Sequence, residues 1–222
     1  MGVISTGNSE LDIYLGGGYE KGIVTTLYGA SASGKTNLVL LAAVRCAEDG
    51  GNVVIIDTEG GIAVERIKQL SSSDILGQFH FYQPLDWSDQ LSSLDKLLVL
   101  LNKKKIDLVV IDSIAMLYRL AMGDNVYQTN RDMAKHIGQL VRIAREHHIP
   151  VLVTNQVYSR FDDDGVKIVG GDLLKYTSKT LIYLEKVERN HSLKIDKYRF
   201  VDDKTLFNFQ IINKGIIALN NK

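Results

Sequence analysis

The sequence predicts an α/β fold: a mostly parallel central sheet flanked by helices, ending in β-hairpins. Three observations lead there. The runs VVII (53–56), LVVI (108–111) and VLV (151–153) are short, aliphatic and β-branched, with no polar alternation. That pattern suits strands covered on both faces. Helical-period stretches separate these runs, and repeated β-α-β units imply right-handed crossovers. Lastly, a glycine-bearing loop joins an apolar run to an apolar helix near the N-terminus.

In chain order, GIVTTLYG (22–29) reads as the first strand of the core. Helices are expected over KTNLVLLAAVRCAED (35–49), GIAVERIKQL (61–70), DWSDQLSSLDKLLVLLN (86–102) and NRDMAKHIGQLVRIAREHH (130–148), with Asp86 as the N-cap of the third. The pattern changes after about residue 156. Residues 158–172, YSRFDDDGVKIVGGD, are polar and glycine-bearing and read as a loop. SKTLIYLEKVE, LKIDKYRFVD and KTLFNFQII then read as strands and hairpins that extend the same sheet. No linker-like segment interrupts the chain, so residues 1–222 are expected to form a single domain.

Composition limits the function classes. Lysine plus arginine equals aspartate plus glutamate at 26 each, giving a formal net charge of zero. No whole-molecule field draws such a chain to nucleic acid or membrane, so a basic surface has to be local. One cysteine, Cys46, cannot close an internal disulfide, and no metal-site spacing is present. The N-terminal residues lack the basic and apolar regions of a secretory signal. No apolar run approaches the ~20 residues of a membrane span. The expectation is a soluble, cytoplasmic protein.

The glycine-bearing loop is Gly29-Ala30-Ser31-Ala32-Ser33-Gly34-Lys35-Thr36, the pattern G-x-x-x-x-G-K-[ST]. Small residues let backbone N–H groups curl around a phosphate, and the helix that follows aims its unpaired donors at the same anion. Lys35 adds a full charge near the β- and γ-phosphates, and the Thr36 hydroxyl can ligate Mg²⁺. ATP and Mg²⁺ are therefore the expected cofactors. A second metal handle should be an aspartate ending a strand, and DLVVIDS offers Asp112. Hydrolysis also needs a group to orient or deprotonate water. Glu59 in VVIIDTEGG is the candidate base, with Asp57 beside it as a supporting group or a turn cap. VLVTNQV ends in Asn155 and Gln156, whose amides can either sense a γ-phosphate or cap a turn.

Taken together, STGNSELDIYLGGGYEKGIVTTLYGASASGKT, IDTEG, LVVIDS, VTNQV and GGDLLKYTSKTLIYLEK resemble the RecA superfamily in content and order. Within it the chain is most similar to the archaeal and eukaryotic recombinases. The resemblance covers nearly the whole sequence. It implies a RecA-type P-loop ATPase core, DNA binding and a role in homologous recombination and repair. By position it implies Glu59 as the catalytic glutamate, Asp112 as the metal aspartate and Gln156 as a relay between nucleotide and DNA. It also makes residues 158–170 the counterpart of a DNA-binding loop. Full-length recombinases carry an N-terminal helical domain and a self-polymerisation linker, whereas here the core starts by about residue 3. An accessory or mediator role, with single-stranded DNA, recombinases or other recombination proteins as partners and homo-oligomers conceivable, is the expectation. The alternative is a KaiC-like regulatory or signalling ATPase that acts through protein partners without DNA.

Residues that can meet DNA are scattered. Arg131, Lys135, Arg142 and Arg145 fall in a stripe about 80° wide on the helix over 130–148, opposite Met133, Ile137, Leu140, Val141 and Ala144. Such a stripe suits a solvated or subunit-contacting face as well as phosphate tracking. Lys186, Arg189, Lys194, Lys197 and Arg199 make a basic hairpin that either stacks bases with Tyr198 and Phe200 or is a solvated ribbon. In the loop, Tyr158, Arg160 and Phe161 suit single strands, whereas Asp162, Asp163 and Asp164 repel phosphate.

Overall fold

A computed structural model describes residues 2–123, 125–159, 166–168, 172–197 and 206–219. Strand β1 (Val3–Ile4), helix α1 (Ser9–Tyr14) and strand β2 (Tyr19–Glu20) precede the core, and β1 pairs only with β2. The core follows as β3 (Val24–Gly29), α2 (Lys35–Glu48), β4 (Val53–Asp57), α3 (Val64–Leu70), β5 (Phe79–Tyr82), α4 (Trp87–Leu101), β6 (Leu108–Asp112), α5 (Met116–Leu120), α6 (Val126–His147) and β7 (Val151–Ser159). The C-terminal part adds β8 (Val166–Ile168), α7 (Asp172–Thr177), β9 (Thr180–Val187), β10 (Asn190–Lys197), β11 (Phe207–Ile212) and β12 (Gly215–Leu219).

These strands form one sheet in the order β12-β11-β10-β9-β3-β7-β6-β4-β5, with β8 paired to β7. From β9 to β5 every neighbour is parallel; from β9 to β12 every neighbour is antiparallel. The expected extension of the sheet by the C-terminal strands is therefore present.

The absence of polar alternation in the parallel strands has a direct cause. In β4, Val53 and Ile55 pack into one core with Leu38, Leu41, Val44 and Ile67 from α2 and α3. Val54 and Ile56 pack into a second core with Leu94, Leu97, Met133, Ile137 and Leu140 from α4 and α6. Both faces of β4 are covered, so all four of these positions are apolar. Each fully buried aliphatic side chain contributes about 1.5–3 kcal/mol relative to exposure.

Local chemistry sets the helix ends. Asp86 caps α4 by accepting from the Asp89 amide at 2.8 Å. Asn125 does the same for α6 through the Gln128 amide at 3.1 Å, which starts that helix at Val126, earlier than the residue 130 expected from the sequence. His148 ends α6 in the left-handed region with φ 52°. Along α6, Met133, Ile137, Leu140 and Ala144 are buried whereas Arg131, Lys135, Arg142 and Arg145 are exposed, so the two faces fall as the periodicity predicts.

Other elements differ from the sequence reading. Part of the stretch read as a loop, 158–172, is strand: β7 runs to Ser159, and Val157, Tyr158 and Ser159 pair with β8. Helices α1 and α5 and strands β1, β2 and β5 are too short for periodicity to detect. Among the described residues, no helix is long and apolar enough to cross a membrane.

Candidate functional site

Parallel pairing sends the carboxyl ends of β3, β4, β6 and β7 to one edge, where ligands bind in open α/β sheets. Gly29 pairs in register with Gln156, and Asp57 with Asp112. Thr58 fastens the two acidic strand ends together. Its amide donates to the Asp112 carbonyl at 2.8 Å, and its hydroxyl donates to the Ser113 carbonyl at 2.7 Å. The result is a cleft of about 310 Å³ lined by Lys35, Thr36, Glu59, Asp112 and Gln156, with Lys186, His191 and Ile211 from the C-terminal strands on its far side.

The loop over 29–36 runs from β3 into α2. Gly29 has no room for a side chain, because a Cβ there would lie 2.0 Å from the Leu184 carbonyl oxygen. Gly34 takes φ 100° as the residue before α2, with no side-chain cap. The first amides of α2 are thus left free to face an anion. Lys35 is buried, and its ammonium donates to the carbonyls of Gly29 at 3.0 Å and Ala30 at 2.7 Å. Because the C=O and N–H of one trans peptide point opposite ways, these bonds turn the Ala30 and Ser31 amides away from Lys35. Burial lowers the Lys35 pKa from its ordinary value, opposed by attraction to Asp112 and Glu59.

Asp112 is buried at the end of β6. It accepts from the Thr36 hydroxyl at 2.7 Å and from the Thr154 hydroxyl in a short hydrogen bond. Burial raises its pKa above the usual carboxylate range; the two hydroxyls counter this, while Glu59 and Asp57 add to it. Such a carboxylate, near two like charges, is stabilised by a cation. The donor set is one hydroxyl and one carboxylate, all hard oxygen. This fits Mg²⁺, which keeps several waters and takes its remaining ligands from substrate phosphates. No group of three or more His, Cys, Asp or Glu side chains suited to a metal occurs among the described residues.

Glu59 reaches the cleft mouth, and its Oε1 accepts from Gln156 Nε2 at 3.1 Å. The neighbouring Asp57 is a turn cap. Its carboxylate accepts from the amides of Glu59 at 3.2 Å, Gly61 at 3.3 Å and Ile62 at 3.1 Å. Asn155 is buried and, unlike Gln156, does not line the cleft.

The described candidate DNA-contacting residues sit on two elements, Arg131 and Lys135 on α6 and Lys194 and Lys197 on β10. On α6, Lys135 sits 3.6 Å from Asp132 and Arg142 sits 2.8 Å from Glu146. Arg131 and Arg145 make no ion pair among the described residues. Lys194 faces Asp196 at 3.4 Å, and Lys197 donates to the carbonyls of Lys175 and Ser178. Arg160, Arg199 and the acidic triplet 162–164 lie outside the described residues.

Several groups at the cleft carry no signal in the local sequence. Thr154 and Thr58 are ordinary strand-end threonines until register places them beside Asp112. His191 lies 158 positions from the Ser33 carbonyl that it meets. Arg66 of α3 donates to Asn37 Oδ1 at 3.1 Å and to the carbonyls of Ile212 and Asn213, tying the β11–β12 turn to the start of α2.

Comparison with known proteins agrees with this geometry. A family model described as Rad51 matches residues 1–219. The "DNA repair and recombination protein RadB" of Methanococcus maripaludis is 38% identical over 216 residues, covering 95% of this chain and 98% of that protein. Its namesake from Methanobrevibacter smithii is 38% identical over 222 residues, covering 95% and 94%. Among solved structures, one titled "Crystal structure of the RadB recombinase" superposes with a TM-score of 0.82 at 32% identity, covering 98% of this chain and all of that one. On the match of sequence, fold and strand-end chemistry, the chain belongs to the Rad51 family.

Proposed function

We propose that the protein binds ATP with Mg²⁺ at the phosphate loop, hydrolyses it slowly and binds single-stranded DNA. In the cell it assists homologous recombination and repair as a recombinase paralogue or mediator. The observation that carries the reading is the convergence of Lys35, Thr36, Asp112, Glu59 and Gln156 on one cleft at the carboxyl edge of the sheet. The names of the relatives support the process, and the family supports recombinases or other recombination proteins as partners.

In this reading the amides over 30–36 and the Lys35 ammonium grip the polyphosphate. Thr36 and Asp112 would hold Mg²⁺, which would supply positive charge to offset that of the polyphosphate. Glu59 orients the attacking water and takes its proton. Its hydrogen bond to Gln156 restrains it, which favours slow turnover. Gln156 also lies on β7, the strand that leads to residues 160–165, so loss of that bond on nucleotide binding carries the ligand state toward DNA. Arg131 and Arg145, the cations of the α6 stripe without an ion pair among the described residues, are the candidates there to meet DNA phosphates.

Two measurements on the whole chain test this reading. Equilibrium ATP titration of Lys35→Ala should show affinity lowered by about a hundredfold, ~2.7 kcal/mol. Unchanged affinity would remove the site assignment. Affinity for single-stranded DNA, with ATP and Mg²⁺ present, should fall linearly on a log–log plot against salt. Failure to bind at low salt would leave a regulatory ATPase that works through protein partners.

A further inference from the structure

The far wall of the nucleotide cleft comes from the antiparallel strands of the same chain. His191 of β10 and Lys186 of β9 pair directly across the ladder, so their side chains share one face, and both line the cleft with Gly34, Lys35 and Thr36. Ile211 of β11 completes the wall. A Cβ at Gly34 would stand 3.3 Å from Ile211 Cδ1, 3.5 Å from His191 Nδ1 and 3.6 Å from Phe209 Cζ. The phosphate loop and this wall are in van der Waals contact.

His191 is buried, and its ring stacks on Phe209 at 5.3 Å between centroids and 22° between planes. Its Nδ1 lies 3.2 Å from the Ser33 carbonyl oxygen. A carbonyl only accepts, so Nδ1 carries the proton and donates. The consequence for the loop is geometric. Ser33 C=O and Gly34 N–H belong to one planar trans peptide and point in opposite directions. Holding the carbonyl against the wall therefore turns the Gly34 amide away from it, into the bend that must cradle an anion.

Lys186 is exposed and makes no ion pair among the described residues. Among the described residues, the charged groups lining the cleft are Lys35 and Lys186 against Glu59 and Asp112. Without Lys186 the protein would offer a polyphosphate one ammonium against two carboxylates, a net negative cleft. With it the two signs balance before any metal ion enters.

We propose that the β9–β10 hairpin completes the nucleotide site within one chain, with Lys186 as a second ammonium ligand of the polyphosphate and His191 as a positioning residue that holds the Ser33–Gly34 peptide. The inference rests on the nucleotide-binding reading given above. It assigns Lys186 to phosphate rather than to DNA, and it gives the C-terminal strands a part in ligand binding.

The test is calorimetric titration of the full chain with MgATP and MgADP, alongside thermal melts without nucleotide. Lys186→Gln, at an exposed position, should fold normally and bind MgATP about tenfold more weakly, the size of one charge-assisted contact. His191→Ala should weaken both nucleotides about three- to tenfold. His191→Asn keeps a donor near the Nδ1 position and should recover affinity to within about twofold, whatever its melting temperature. A merely structural role would make affinity follow stability and leave Asn no better than Ala. Wild-type affinity in Lys186→Gln, or equal loss in the Asn and Ala variants, overturns the proposal. Lys35→Ala run in parallel separates the two readings. If it loses binding while Lys186→Gln and His191→Ala do not, only the hairpin's role is refuted; if wild type itself does not bind MgATP, both readings fall.

Discussion

The sheet has two halves that meet at β9, and they do different work with the same main-chain pairing. In the parallel half, the aliphatic strand bodies supply the two cores, and the residues of the loop and cleft lie toward or just past the carboxyl ends of the strands: Gly29, Glu59, Asp112 and Gln156. In the antiparallel half the strand bodies themselves face the cleft, through Lys186, His191 and Ile211. A parallel strand buried on both faces has no free surface to offer. An antiparallel extension with one face turned over the phosphate loop does. Core packing and ligand binding should therefore be separable in the first half and coupled in the second.

The largest expected effect tests that coupling. Ile55 in β4 and Phe209 in β11 are both fully buried. Truncating either to alanine should cost about 3–5 kcal/mol by lost transfer energy plus the cavity left behind. Denaturant unfolding should show comparable losses for the two variants. Nucleotide affinity should divide them. Ile55→Ala binds ATP as wild type does, because its neighbours are α2, α3 and the adjoining strands. Phe209→Ala binds more weakly, because Phe209 backs both His191 and the Gly34 turn. Equal affinity in the two variants would erase the distinction between the halves.

The same contrast explains what could be read from the sequence. The parallel half was legible because its constraints are local. VVIID and LVVID need only be apolar throughout and end in an acid, and the phosphate loop is a contiguous string of eight residues. The fold class and the roles offered for Lys35, Thr36, Asp112 and Glu59 follow from those strings. The antiparallel half was legible only as strands. Nothing near His191 announces Ser33, and nothing in GIVTTLYG announces that Leu184 forbids a side chain on Gly29. Those contacts exist because β9 pairs with β3, and register across more than 150 residues is not written in any local pattern. Charge patterns were also incomplete guides. The α6 stripe was found, yet the bridging of Lys135 to Asp132 and of Arg142 to Glu146 depends on rotamers that spacing does not reveal.

A second, smaller effect belongs to the core beneath the parallel half. His136 of α6 is fully buried beside Trp87 at 5.6 Å and near Gln90 Nε2 at 3.5 Å, and burial lowers its pKa from 6.5 to about 4. The folded state therefore prefers the neutral ring. Its contribution is complete above the unfolded pKa of 6.5 and is lost as pH falls toward about 4. The loss amounts to about 3 kcal/mol at most. Thermal melts across that window should show a falling acid arm that His136→Gln flattens. An arm of equal depth in the variant would place the acid sensitivity elsewhere. Neither His136 nor any other residue of α6 lines the cleft, so ATP affinity of His136→Gln at neutral pH should match wild type.

The smallest effect is the sharpest on locality. Asp86 Oδ1 accepts from the Asp89 amide at 2.8 Å and satisfies one of the donors exposed at the start of α4. Asp86→Ala removes that acceptor and should cost about 1 kcal/mol, because water can take over part of the bond at this exposed end. Helix α4 packs on the parallel half through Leu94 and Leu97, whose partners are Val54, Ile56 and α6 rather than the phosphate loop. The variant should therefore unfold at lower denaturant with an unchanged slope, and bind ATP with wild-type affinity. A drop in nucleotide affinity from so small and remote a change would mean that stability anywhere in the parallel half feeds the cleft. The separation between its strand bodies and its strand ends would then have no energetic content, and the coupling expected at Phe209 would be a property of the whole sheet rather than of its antiparallel wall.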